Sequence, residues 1–393
     1  MKSFFFSSQG IGRWDEDFTK SIHESLPYYV EGFRRANFSH DGVEIFFESS
    51  RISDEEQRAK VKELIFSIAK SFRSIKSKKI KSNNPIREIE ALDPYPDLLE
   101  KGDIKATGRG KFVYAGDVAR VFEAIDSKVL EFCQSIGARS ELYPTTVQTK
   151  TLLRSGYLEM HPQFAYFVAP AHLDQESLIS IGDENILSIE HREQTTAHLS
   201  VPDQILSPTV CYHTFEARQG TKMAPSIVTA LNKCHRHEPV NVTSLERLTT
   251  YWMREIVIFG SSDMVLDTLN AASEWSCKFI ESLGLGYDLI TASDPFFADR
   301  GASNRLMQSA LSLKQEIKMP LFSGKSTAIA SFNNHGSSLV DKFDISGDLE
   351  RGEKLNSGCV GWGYDRLIYA VFCGLGSNVS DWDATSKRIL GLR

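Results

Sequence analysis

The stretch NKCHRHEPVNVTSLERLTTYWMREIVIFG, residues 232–260, constrains this chain more than any other, because it sets charges inside what reads as β-sheet. Its second half, YWMREIVIF, is apolar and rich in β-branched and aromatic residues, yet Arg254 and Glu255 sit in its middle. Burying such groups unpaired costs several kcal/mol. The strand therefore needs either a structural ion-pair network within the sheet or a polyanionic ligand or metal beside it, and the charges alone leave both open. Strand parity divides the residues: Tyr251, Met253 and Glu255 share one face, Trp252 and Arg254 the other. A flat aromatic and a carboxylate can then address one cavity.

A second stretch, GCVGWGYDRLIYAVF at 358–372, places Gly361 and Gly363 just before Arg366, which opens a fully apolar run. The glycines permit close backbone approach, and a guanidinium at the edge of a buried element suits a carboxylate or phosphate. A strand-turn-helix packing junction accounts for the same pattern.

With 393 residues, 41% hydrophobic and 24% charged, the chain can bury a large core, and we expect one large domain plus an appendage. A net charge of −6 gives no global attraction to nucleic acid. The N-terminus MKSFFFSSQG is far short of a signal-peptide core, and no run approaches the ~18 apolar residues of a membrane span. A cytoplasmic protein without a membrane partner is expected. Six scattered cysteines point to reduced thiols or a metal rather than a disulfide framework.

By texture the chain divides into a leader, residues 1–100, and a denser part, 101–393. In the leader, Ser53 and Glu56 can form a capping box for a helix whose Val61, Leu64, Ile65, Ile68 and Phe72 share one face. The basic stretch RSIKSKKIKSNN that follows reads as a solvated linker or as a grip for an acidic partner. A second helix is expected over 117–138, its stripe (Val118, Val121, Phe122, Ile125, Val129, Phe132, Ile136) suited to core or dimer packing and Cys133 to filling. Beyond it SELYPTTV, FAYFVAP, PTVCYHTF, YWMREIVIFG and TAIASFNN read as strands of an antiparallel sheet, covered by helices over 263–284 and 305–317. The class is α+β.

CHRHE (234–238) looks like a metal site, but on an extended strand Cys234 and Arg236 face away from His235 and His237, so the four cannot converge on one ion.

RHE, a loop and YWMREIVIFG resemble motif 2 of class II aminoacyl-tRNA synthetases, and GWGYDRLIYAVF resembles their motif 3. Within that class VYAGDVARVFEAID, LYPTTV, LLRSGYLEMHPQFA, CYHTFEA, DPFFADR, LKQEI, TAIASFNNH and CVGWGYDRL are similar, in order over roughly 105–375, to the zinc-containing archaeal seryl-tRNA synthetases. They are closer still to the short bacterial amino acid:[carrier protein] ligases. The resemblance implies a synthetase-like antiparallel sheet flanked by helices, with the leader as an N-terminal extension. It assigns Arg236 to the ATP α-phosphate, Glu238 and Tyr251 to adenine, Arg366 to the other side of ATP, and Cys211, Glu255 and Cys359 to Zn²⁺, which would bind the α-amino group of an amino acid. Lys314, Glu316, Ser331 and Asn333 match positions lining the active-site floor, Mg²⁺ would accompany pyrophosphate, and Pro144 falls where a motif 1 proline packs in a homodimer.

The implied activity is ATP-dependent formation of an aminoacyl adenylate and transfer to the phosphopantetheine thiol of a carrier protein. One leader helix without heptads is too little for a tRNA-gripping coiled coil, so no tRNA partner is expected. The alternatives are a tRNA-charging enzyme of the seryl type and a non-catalytic amino-acid-binding paralogue. Keeping both arginines and all three zinc ligands argues against the last.

Overall fold

The structure, a computed structural model, describes residues 1–12, 14–48, 52–71, 77–85, 93–182, 196–238, 242, 244–292, 314–349 and 352–392. Residues 294–300 (DPFFADR) and 305–313 of the expected second covering helix lie outside them.

The leader is a folded module rather than one helix. Strand β1 (Lys2–Ser7), helix α1 (Glu16–Tyr29), strands β2 (Phe33–Ser39) and β3 (Gly42–Phe47) and helix α2 (Asp54–Ser71) follow in order, and the strands form an antiparallel sheet β1-β3-β2. Alternation in VEIFF buries Val43, Ile45 and Phe47 against Phe18, Ile22 and Leu26 of α1 and Val61, Leu64 and Ile65 of α2. Asp15 caps α1 through the Phe18 amide at 3.0 Å, and Ser53 caps α2 through the Glu56 amide at 3.2 Å. Only that arm of the expected box forms; the Glu56 carboxylate turns to Lys60 at 3.3 Å. Phe72 lies outside the described residues.

Past α2 come β4 (Lys79–Asn83), α3 (Tyr95–Glu100), the hairpin β5 (Ile104–Gly108) and β6 (Lys111–Tyr114), α4 (Gly116–Ser135) and β7 (Arg139–Ser140). A small sheet is built from β8 (Thr146–Gln148), β9 (Phe167–Val168) and β10 (Gln204–Leu206), with α5 (Thr149–Ser155), α6 (Tyr157–Met160) and α7 (Gln175–Ile181) between its strands. The remainder is α8 (Cys211–Ala217), β11 (Lys222–Met223), β12 (Ser226–His235), β13 (Thr250–Gly260), α9 (Ser262–Ser282), β14 (Tyr287–Thr291), β15 (Lys314–Pro320), β16 (Ser326–Gly336), α10 (Ser338–Lys342), β17 (Ser346–Gly347), β18 (Asn356–Gly363), α11 (Tyr364–Leu375) and α12 (Ala384–Leu390).

The large sheet runs β4-β14-β15-β16-β18-β13-β12-β7, antiparallel apart from the parallel pairing of β7 with β12. Helices α4, α9 and α11 cover one face. Val121, Ile125, Val129 and Phe132 of α4 meet Ile256, Ile258, Val360 and Trp362 of the sheet, each fully buried aliphatic chain contributing roughly 1.5–3 kcal/mol. The α4 stripe thus serves the core, where Cys133 is a buried filler.

Arg254, on this covered face, is held structurally. Its guanidinium makes a bidentate pair with Asp126 of α4 (2.7 and 3.0 Å) and donates to Thr229 Oγ1, while Tyr364 donates to the same carboxylate at 2.7 Å. The ion-pair reading holds for Arg254.

Two expected elements change type. PTVCYHTF, read as a strand, contains helix α8, because Cys211 and Phe215 bury on one helical side, Phe215 against Phe259 and Phe343. KQEI, read as the end of a helix, opens strand β15, where Ile317 and Met319 alternate into the core. Within the first 100 residues, β4 joins the large sheet beside β14, and Leu98 of α3 enters the large core. Among the described residues no helix is long and apolar enough to cross a membrane.

Candidate active site and metal centre

Directly opposed residues in an antiparallel pair point to the same face. The register aligns Glu316, Ser331, Gly361, Glu255 and Ala230 across five strands, and beside them Lys314, Asn333, Cys359 and Val257. Along β13 the same face carries Met253 and Tyr251. The face opposite the helices therefore collects Tyr251, Glu255, Lys314, Glu316, Ser331, Asn333 and Cys359.

At one end Cys211, Glu255 and Cys359 come together from α8, β13 and β18, all buried, with ligand atoms within 4.8 Å of one another. Thr209 Oγ1 (2.8 Å) and the Val210 amide (2.9 Å) both donate to Glu255 Oε1. Glu255 Oε2 is buried and without a hydrogen-bond partner. A carboxylate oxygen without a hydrogen-bond partner beside two sulfurs is a donor set that suits zinc, which takes four ligands. Burial and the neighbouring Cys359 push the Glu255 carboxyl up to about 7. Contact with Cys359, then burial, raises the Cys211 thiol, while contact with Cys211 lowers that of Cys359. Metal ligation requires all three groups to be deprotonated, so a cation bound at this cluster would release protons.

At the other end Arg236 and Tyr251 are pinned by one carbonyl: Arg236 Nε and Tyr251 Oη both donate to Pro208 O, at 3.1 and 3.2 Å. The Arg236 guanidinium lies 5.6 Å from the Tyr251 ring centroid and 5.9 Å from that of Phe164. Arg366 opens α11 and donates to Glu246 O (2.6 Å) and Ala328 O (3.5 Å). Burial first, then Arg247 and Arg236, lowers the Arg366 guanidinium from its ordinary value, while Tyr251 works against the shift. Among the described residues no ion pair neutralises Arg236 or Arg366. Glu238 faces Arg247 instead, at 3.6 Å. Concentrated positive charge held by carbonyls rather than carboxylates fits a polyphosphate.

Between the ends lies the floor. Lys314 pairs with Glu316 at 3.2 Å; Asn333 Nδ2 donates to Ser331 Oγ (3.3 Å) and to Cys359 Sγ (3.5 Å). Gly361 keeps the floor clear: a Cβ there would stand 3.2 Å from Met253 Sδ and 3.7 Å from Glu255 Cγ. The CHRHE residues do not converge: Cys234 is buried, His235 bonds Thr250 and His237 meets Tyr166 edge-on. His213, buried and stacked on Tyr143, lies outside the metal cluster, whereas His335 approaches Cys359. Sequence reasoning missed Thr209 and Arg247; the signal available was a hydroxyl two residues before a candidate ligand and a cation in the loop joining β12 to β13.

No protein-family model matches the chain. Among curated proteins it is similar to amino acid–[acyl-carrier-protein] ligase 1 of Bradyrhizobium diazoefficiens, 27% identical over 79% of this chain and 94% of that protein. To ligase 2 of the same organism it is 31% identical over 64% of this chain and 74% of that one. A type-2 serine–tRNA ligase of Methanococcus maripaludis is 25% identical over 72% of this chain and 57% of its own length. Among solved structures, Methanopyrus kandleri seryl-tRNA synthetase in complex with A. aeolicus tRNASec superposes at a TM-score of 0.69 with 18% identity, covering 99% of this chain and 76% of that one. The cytoplasmic serine–tRNA ligase of Naegleria fowleri with AMP superposes at 0.60, with 12% identity, over 86% of this chain.

Fold and likeness define an aminoacyl-transferring ligase with the architecture of class II seryl-tRNA synthetases. The chain belongs to the amino acid–[acyl-carrier-protein] ligase family. The ground for excluding tRNA is weakened, because the leader is a folded module and the M. kandleri superposition, to a tRNA-bound enzyme, takes it in.

Proposed function

We infer that the chain activates a small α-amino acid with ATP and transfers it to the phosphopantetheine thiol of a carrier protein. One observation carries this reading: a single sheet face holds an incomplete metal cluster and an unneutralised arginine cluster, joined by β13. From Glu255 to Tyr251 is four strand residues, about 13 Å, which suits the span from amino group to adenine in an aminoacyl adenylate.

The residues fit a zinc ion, which Cys211, Glu255 and Cys359 would hold; when bound it supplies a Lewis-acid anchor for the substrate amine. The substrate carboxylate, aligned over Gly361, attacks the α-phosphorus, and pyrophosphate leaves; Mg²⁺ brought in with the nucleotide would share its charge. Arg236 and Arg366 stabilise the charge spreading over the phosphoryl oxygens, and Tyr251 with Glu238 holds the adenine. A thiolate then attacks the acyl carbon, AMP leaves, and a thioester forms. Glu316, Ser331 and Asn333 line the substrate's side of the floor.

Amino-acid-dependent ATP–pyrophosphate exchange, with zinc present and a Cys359→Ala control, tests activation. Absence of exchange with every proteinogenic amino acid, from folded and zinc-containing protein, would sink it. Loading of a phosphopantetheinylated carrier against loading of tRNA separates the acceptors. The tRNA acceptor is the second reading, favoured by the folded leader and its coverage in the M. kandleri superposition.

For the division of the chain we propose an accessory module and a catalytic domain, with the boundary moved from residue 100 to the stretch between α2 and β4, since β4 and α3 join the large sheet and core. A C2 homodimer through the Leu142–Pro144 segment, where Leu142 is exposed, completes the proposal. Sedimentation of the purified chain checks it.

A further inference from the structure

The geometry points to His335 as the residue that positions the Cys359 sulfur for its metal ion, with Asn333 assisting. This rests on the reading of Cys211, Glu255 and Cys359 as a metal site.

The three ligands are supported unequally. Thr209 Oγ1 serves two of them, bonding Glu255 Oε1 at 2.8 Å and lying 3.0 Å from Cys211 Sγ. Cys359 sits in mid-strand on β18, and apart from Cys211 its sulfur meets two nitrogens, both from β16: His335 Nε2 at 3.4 Å and Asn333 Nδ2 at 3.5 Å. Asn333 is directly opposite Cys359 in the ladder. His335 occupies a register shift between Asn334 and Gly336, the kind of bulge that re-aims a side chain. It brings the imidazole over the same sulfur, beside the Phe215 ring at 6.1 Å.

The other ring nitrogen fixes the proton. His335 Nδ1 lies 3.3 Å from the hydroxyl of Ser357, which is wholly buried. With Ser357 donating to Nδ1, the proton resides on Nε2 and points at sulfur. A metal-bound thiolate carries excess negative charge. An N–H directed at it disperses that charge and restricts the sulfur to one orientation, the outer-shell role that ordinarily falls to carboxylates and carbonyls around histidine ligands. His335 thus acts through Cys359 and needs no contact with the substrate.

The test uses the full chain, stripped of metal and titrated with Co²⁺, reading the thiolate-to-cobalt charge-transfer band, with zinc affinity measured by chelator competition. Wild type should bind one Co²⁺ through two sulfurs. Cys359→Ser should remove roughly half of the band, which tests the site itself. His335→Ala should keep the two-sulfur intensity, shift the band and weaken zinc binding about 10–100-fold. His335→Gln, which retains an N–H donor, should recover most of that loss, and Ser357→Ala should move both readouts the same way by less. If His335→Ala does not fold, these two variants decide. Wild-type affinity and band position in the His335 variants, while Cys359→Ser behaves as expected, overturns the role of His335 and leaves the site standing. Failure of wild type to bind Co²⁺ through sulfur overturns the site and this inference together.

Discussion

The two faces of the large sheet treat charge in opposite ways, and adjacent residues show it. Arg254 points under the helices and has every partner it needs: Asp126 twice, Thr229 and the company of Tyr364. Glu255 points to the open face with one oxygen satisfied twice and the other not at all. The same contrast separates Val360, in the core, from Cys359 beside the metal cluster. A buried charge with a complete set of partners is structure; one left incomplete by its own chain is an invitation to a ligand.

The largest effect that would break this comparison is on stability. Arg254→Ala leaves the half-buried Asp126 without its cation and empties the buried guanidinium site, and should cost about 3 kcal/mol in urea unfolding. Glu255→Gln should leave the metal-free protein at or near wild-type stability while abolishing metal binding. Equal losses for the two would erase the distinction. Next, Arg236→Ala should lower ATP–pyrophosphate exchange about 10²–10³-fold, with an unfolding midpoint close to wild type. A parallel collapse of stability would make Arg236 a structural residue.

His213 sharpens the comparison from the other side. Its Nε2 is buried and without a partner, yet it belongs to neither cluster, and burial holds its imidazole down at about 4. Above pH 6.5 both folded and unfolded forms are neutral. Below it the unfolded chain takes a proton that the folded chain refuses until about pH 4, so stability falls as pH drops through that window, by roughly 3 kcal/mol for this group. The stability difference between wild type and His213→Phe should therefore shift toward the variant between pH 7 and 4.5. A difference independent of pH would rule the titration out. The smallest effect compares two glycines of β18. Gly358→Ala meets Val265 Cγ1 at 2.8 Å and a backbone oxygen at 3.0 Å, and should cost about 1–3 kcal/mol. Gly361→Ala meets the flexible Met253 and should spare stability while raising KM for the amino acid. The reverse pattern would mean that the open face is packed rather than kept clear.

Much of this division was legible in YWMREIVIFG, because a period of two is enough to send Arg254 and Glu255 to opposite faces once the strand is recognised. The long helices α4 and α9 were legible for the same reason at period 3.6. The metal trio was not, since its members lie on three elements and no spacing unites them; it came from resemblance alone. Helix α8 was obscured by the β-branched and aromatic residues of PTVCYHTF, whose packing against Phe259 overrides local propensity. The leader sheet was missed because SFFFS reads as a uniform apolar run. The contact of His335 with Cys359 was not legible: it depends on a bulge that a sequence does not announce.

Strand β4 has a practical consequence. Its residues occupy the outer flank of the large sheet, where the Lys78 amide reaches Thr291 at 2.8 Å, Lys79 meets Asp288 at 2.7 Å and Lys81 meets Glu281 at 3.2 Å. Someone trimming the chain for expression would find residue 100 an attractive place to cut, and would strip this hem from β14. The raw backbone groups left behind would recruit neighbouring molecules into aggregates. A cut at residue 77 removes the same accessory module and leaves the sheet with its lysine-studded border.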